Sequence, residues 1–118
     1  MTPEELKKRT KEFAHRCAKL AISLPDHPLS RHIQLQLFRC STSVAANYRA
    51  VCLCHSKPAF ASKMSIVIEE IDETAFWIEF LVEEDILPHK KCERLLAEAQ
   101  ALTSIFVASR KTARKNSQ

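Results

Sequence analysis

The sequence predicts an all-α protein, an antiparallel up-down-up-down four-helix bundle, and three observations carry that reading. The 118 residues include no glycine, the residue on which hairpin turns, positive-φ positions and phosphate-cradling loops normally depend. Apolar residues recur at spacings of three and four along four segments, as they do on helices with one buried face. Breaks at Pro25–Pro28, Pro58 and Pro88 separate those segments by short connections, so consecutive helices must fold back on one another. The sustained alternation favours near-parallel packing at roughly 20°.

The first helix is expected over 3–24. Thr2 supplies an N-cap, Pro3 a first-turn proline and Glu5 the return half of a capping box. Leu6, Phe13, Cys17, Leu20 and Leu24 form its apolar stripe. The second helix is expected over 29–55, capped by Asp26 or Ser30, with Ile33, Leu37, Val44, Tyr48 and Val51 inward and Ser41 and Ala45 as small members. Ser56-Lys57-Pro58 starts the third, over 58–85. There Phe60, Met64, Val67, Ile71, Ala75, Ile78 and Val82 hold the alternation for more than 20 residues. The fourth, over 88–112, carries Cys92, Leu95, Ala99, Leu102 and Phe106. Residues 1–112 thus read as one bundle, and 113–118 as a disordered, polar basic tail.

Five cysteines, an odd number, accompany a polar and charged N-terminus with no secretory pattern. That combination points to a cytoplasmic protein whose reduced thiols serve as small apolar residues. No apolar run approaches the ~20 residues that span a bilayer, so no membrane role is expected. Charge is segregated. Residues 1–68 hold 11 basic and 4 acidic side chains, residues 69–85 hold 8 acidic and none basic, and residues 86–118 hold 7 basic and 2 acidic.

No catalytic set can be assembled, and no metal or other cofactor is expected. A di-iron bundle needs two Glu-x-x-His pairs, and Glu12 with His15 is the only one. Cys52, Cys54 and His55 lack a second ligand pair at zinc spacing, and no nucleophile-elbow motif occurs. Ser41, Ser43 and Asn47 form a polar row on a largely buried helix. They are expected to fix register by bonding to neighbouring backbone or to acidic residues of the third helix, with Glu70 and Glu73 as candidates. Lys7, Lys8, Arg9 and Lys11 start the first helix, and Arg110, Lys111, Arg114 and Lys115 end the fourth. In an up-down bundle these share one end, and eight positive charges there suit the phosphates of a nucleic acid. Leu35, Phe38, Phe76, Trp77 and Phe80 widen the apolar surface beyond a single seam, which predicts a flank covered by another subunit.

Two stretches carry a family resemblance. Arg39-Cys40-Ser41-Thr42-Ser43-Val44-Ala45-Ala46-Asn47-Tyr48-Arg49-Ala50 and Lys63-Met64-Ser65-Ile66-Val67-Ile68-Glu69-Glu70-Ile71-Asp72-Glu73-Thr74-Ala75-Phe76-Trp77-Ile78-Glu79 resemble the second and third helices of a bacterial four-helix-bundle family. Its members were first noticed as products of intervening sequences in large-subunit ribosomal RNA genes. The family includes the accessory variability protein of diversity-generating retroelements, a basic homopentamer that binds a reverse transcriptase and nucleic acid. The resemblance spans roughly residues 5–107. It implies a homo-oligomer, a pentamer, whose partner is RNA, DNA or a nucleic-acid enzyme. Two readings follow: a non-enzymatic oligomeric scaffold that binds nucleic acid through a basic surface, and a protein-interaction scaffold with no nucleic-acid role.

Overall fold

The structure, a computed structural model, describes residues 1–116. Four helices occur in order, α1 (Pro3–Ile22), α2 (Pro28–Val51), α3 (Lys57–Glu83) and α4 (His89–Asn116), and the described residues contain no strand. No helix is long and apolar enough to cross a membrane.

Local chemistry explains most boundaries. The predicted capping box is formed: Thr2 Oγ1 accepts from the Glu5 N–H at 3.1 Å, and the Glu5 carboxylate accepts from the Thr2 N–H at 3.2 Å. Ser56 caps α3 by accepting from the Ala59 N–H. The expected cap of α2 needs correction. His27 holds that position, its Nδ1 accepting from the Leu29 N–H at 3.3 Å. Asp26 pairs with Arg31 instead, and Ser30 is buried in the first turn with no partner for its hydroxyl.

Four ends also shift, those of α1 and α3 by two residues, to Ile22 and Glu83, and those of α2 and α4 by four. α2 stops at Val51 rather than 55, because the Leu53 and Cys54 N–H groups tighten onto Ala50 and Val51 carbonyls and turn the chain. α4 runs to Asn116, four residues past the predicted end, so 113–116 are helical and not a tail. Ala113 is buried there beside the turn that joins α2 to α3. Ser117 and Gln118 lie outside the described residues.

The turn after α3 solves a problem posed by the missing glycine. Asp85 takes the left-handed conformation, φ 57°, at the position where a Schellman cap normally uses glycine. The Ile86 N–H reaches the Leu81 carbonyl at 2.9 Å, and the Asp85 N–H reaches that of Val82 at 3.0 Å.

Contacts between helices reverse direction at every turn. Gln34 near the start of α2 donates to the Ala21 carbonyl near the end of α1. Arg39 meets Glu70 and Glu73, while His32 stacks edge-on against Trp77 at 5.4 Å. Arg110 donates to Ser65, and Arg9 grips Glu98. Around the bundle α1 packs on α2, α2 on α3 and α3 on α4, whereas α1 meets α4 only sparsely. α1 and α3 are therefore diagonal. The centre is filled by Phe13, Ile33, Leu37, Met64, Ile71, Ile78, Leu102 and Phe106, with Tyr48 stacked on Phe106 at 5.7 Å.

Candidate functional site

Helix α1 carries six basic and three acidic residues, and α3 carries six acidic and two basic. Because these helices are diagonal, the charge split runs across the bundle. The sequence reading placed the basic residues together at one end, and the structure divides them. Lys7 pairs with Glu4 at 2.7 Å. Arg9 is committed to Glu98 through two hydrogen bonds of 2.8 and 2.7 Å, a bidentate geometry that fixes both side chains and holds the Glu98 carboxyl below its ordinary range. Arg110 turns inward to the Ser65 hydroxyl. Lys111, Arg114 and Lys115 are exposed on the last turns of α4. The Arg9–Glu98 pairing sets the register, so those turns project roughly 18 Å along the axis beyond Lys8, at 1.5 Å per residue.

What remains on α1 is a groove shared with α2. Ala14, Ala18, Ala45 and Ala46 form its floor, and Lys7, Lys8, Lys11, His15 and Arg49 stand around it, with Glu4 at one end and a volume near 810 Å³. Arg49 was not among the predicted cations. It enters because α2 runs antiparallel to α1, which brings its last turn beside the first turns of α1, close enough for its charge to oppose that of Lys7. Lys8, Lys11 and Arg49 are exposed, and among the described residues no carboxylate pairs with any of them.

The apolar flank is likewise redrawn. Phe76 is 50% exposed and Leu35 64% exposed. Arg39 with Glu73 and His32 with Trp77 set the α2–α3 register that brings these two to the same level. Phe76, Trp77 and Phe80 form an aromatic cluster with ring centroids 4.9 to 6.0 Å apart, and Trp77 donates to Glu73 at 3.2 Å. Phe38 does not join them. It lies one turn from Gln34, in the row of α2 that faces α1.

The polar row bonds mainly along its own helix, while Ser41 also meets the Cys17 thiol of α1. Ser41 donates to the Leu37 carbonyl at 2.5 Å, and Asn47 donates to both the carbonyl and the hydroxyl of Ser43 at 3.0 and 2.8 Å. Glu70 and Glu73 answer Arg39 instead, so the cross-helix register device is an arginine fork. That pairing and the Trp77 N–H hold the Glu73 carboxyl down.

The whole fold and both signature helices can now be set beside known proteins. The 23S rRNA-intervening sequence protein family matches residues 4–108. The chain belongs to that family. A crystal structure of a protein of unknown function from the S23 ribosomal protein family of Bacteroides thetaiotaomicron VPI-5482 is similar. Its TM-score is 0.85 at 24% identity, covering 94% of this chain and 99% of that one. At that identity the likeness is one of fold. No curated protein matches the chain.

Within this family member the three buried thiols are poorly suited to nucleophilic work. Burial pushes Cys17 up to about 12 and also raises Cys40 and Cys92, so all three stay protonated at neutral pH. Among the described residues no group of three or more His, Cys, Asp or Glu is placed to hold a metal ion.

Proposed function

We propose that this protein is a non-enzymatic, self-associating helical scaffold that holds the phosphate backbone of a nucleic acid against α1 and its groove with α2. The observation that carries the reading is a difference in how cations are used. Arg9, Arg31 and Arg39 are all consumed by carboxylates within the chain, whereas Lys8, Lys11 and Arg49 converge on one groove and pair with none, its single carboxylate, Glu4, being taken by Lys7. Like charges brought together in that way raise the local positive potential, which is what a phosphodiester chain requires. The acidic outer surface of α3, on the diagonal, repels the same ligand and so limits it to the α1 side. No phenylalanine, tyrosine or tryptophan lines the groove, and His15 is its one ring, so the contact is chiefly to phosphate and largely indifferent to base sequence.

The test is fluorescence anisotropy with a labelled oligonucleotide, single-stranded or duplex, across a salt series. Binding that fades steeply between about 50 and 200 mM salt is expected. No binding at low ionic strength would refute the nucleic-acid role.

A second reading, a protein-interaction scaffold without nucleic acid, is favoured by one observation of its own, the exposed Phe76 and Leu35 beside an aromatic cluster. In that reading the flank assembles a homo-oligomer, a pentamer by family resemblance, and the basic groove is incidental. Reversing the charge of Lys8, Lys11 and Arg49 separates the two: a cellular function left intact by the reversal belongs to the second.

A further inference from the structure

On the other side of α1 the sparse contact with α4 leaves a cleft of about 550 Å³, lined by Arg16, Lys19 and Leu20 of α1 and by Lys91, Arg94 and Leu95 of α4. We infer that this cleft is an oligophosphate-binding site, in which two cations on each wall close on a run of linked phosphates. None of these residues belongs to the groove described above or to the basic clusters at the ends of α1 and α4, so the inference stands apart from the proposed function.

The four cations of the cleft carry charge without a counter-charge. On each wall the cations are spaced i, i+3, which sets them side by side on the helix surface about 5–6 Å apart at Cβ. All four are exposed, and among the described residues none is within ion-pairing distance of a carboxylate. Of the nearby acids, Glu98 feels Arg16 but is held on both oxygens by Arg9, Glu93 lies beside His89 at 3.6 Å, and Glu12, one turn before Arg16, forms no ion pair with it. The Arg9–Glu98 fork also does mechanical work, because it is the direct polar tie between α1 and α4. It fixes the separation of the two walls next to the cleft. Leu20 and Leu95 form an apolar floor that makes no polar demand on a ligand. Two guanidinium groups, each a planar fork suited to phosphate oxygens, and two ammonium groups converge above it. A single phosphate would engage one wall; a chain of two or more spans both.

The chemistry has two sources, a free oligophosphate and the backbone of a nucleic acid, and the experiment separates them. Tripolyphosphate is titrated calorimetrically into the full chain at low salt, and a labelled oligonucleotide is followed by anisotropy in parallel. The variants are R16Q/K19Q/K91Q/R94Q and, as a control, K8Q/K11Q/R49Q, with circular dichroism confirming helicity in both. The expected result is a saturable tripolyphosphate site whose affinity falls at least about tenfold in the cleft variant and which survives in K8Q/K11Q/R49Q, where only binding to the α1–α2 groove is lost. A loss in the cleft variant seen with the oligonucleotide alone assigns the site to a nucleic-acid backbone. Equal loss of tripolyphosphate binding in both variants, or non-saturable binding, would overturn the site as diffuse attraction to a basic protein. The control variant reports on the α1–α2 groove through the oligonucleotide arm, so failure of either proposal is visible by itself.

Discussion

Covering Leu35 and Phe76 is the energetic core of the proposed self-association. Burying a leucine or phenylalanine completely contributes about 1.5–3 kcal/mol. With 64% of Leu35 and 50% of Phe76 open to solvent, full coverage by a second copy is worth about 2–3 kcal/mol for the pair. The double substitution Leu35→Ser, Phe76→Ser should therefore weaken association by about 30- to 150-fold. It should cost the folded chain little, since these side chains stand outside the central packing. Light scattering over a concentration series measures the first effect and urea unfolding at low protein concentration the second. A wild-type chain that stays monomeric at every concentration refutes the reasoning. So does an assembly whose midpoint concentration is the same in the variant.

Three further outcomes follow from the packing and the charges. Phe106→Ala removes a fully buried ring stacked on Tyr48 and should cost about 3–5 kcal/mol in urea unfolding. Asp85→Gly relieves a left-handed residue at the end of α3 and should stabilise the chain by up to about 1 kcal/mol, read as a higher melting temperature. The Glu98 carboxyl is held below its unfolded value by Arg9, so its contribution is complete at neutral pH and disappears as pH falls through the folded value. Wild type should lose about 1 kcal/mol more between pH 7 and strongly acidic pH than Glu98→Gln does, measured by unfolding at both.

The helices and their inward faces could be read from spacing because each buried position repeats at the helical period. The ends were harder. The charged residues from Arg110 onward hid Ala113, although it continues the buried row of Leu102 and Phe106 two turns further on. A histidine cap at His27 has the same local signature as its neighbours Asp26 and Ser30, and only the backbone path decides among them. The candidate surfaces were least legible, for a physical reason. Clustering along the chain suggested a basic end, yet Arg9 and Arg110 reach across to other helices. Arg49 and the cleft residues Lys91 and Arg94 join α1 only through antiparallel register. Phe38 illustrates the same point, since it packs against the core while Leu35, on the adjacent row of the same helix, stays open to solvent.

The central claim is that phosphate contacts are made by the unpaired cations of the α1–α2 groove. The salt dependence of oligonucleotide affinity tests it most directly, compared between wild type and K8Q/K11Q/R49Q. Three lost phosphate contacts should lower the slope of log affinity against log salt by about 2–3. A slope unchanged in the variant, with wild-type affinity retained, would contradict the account.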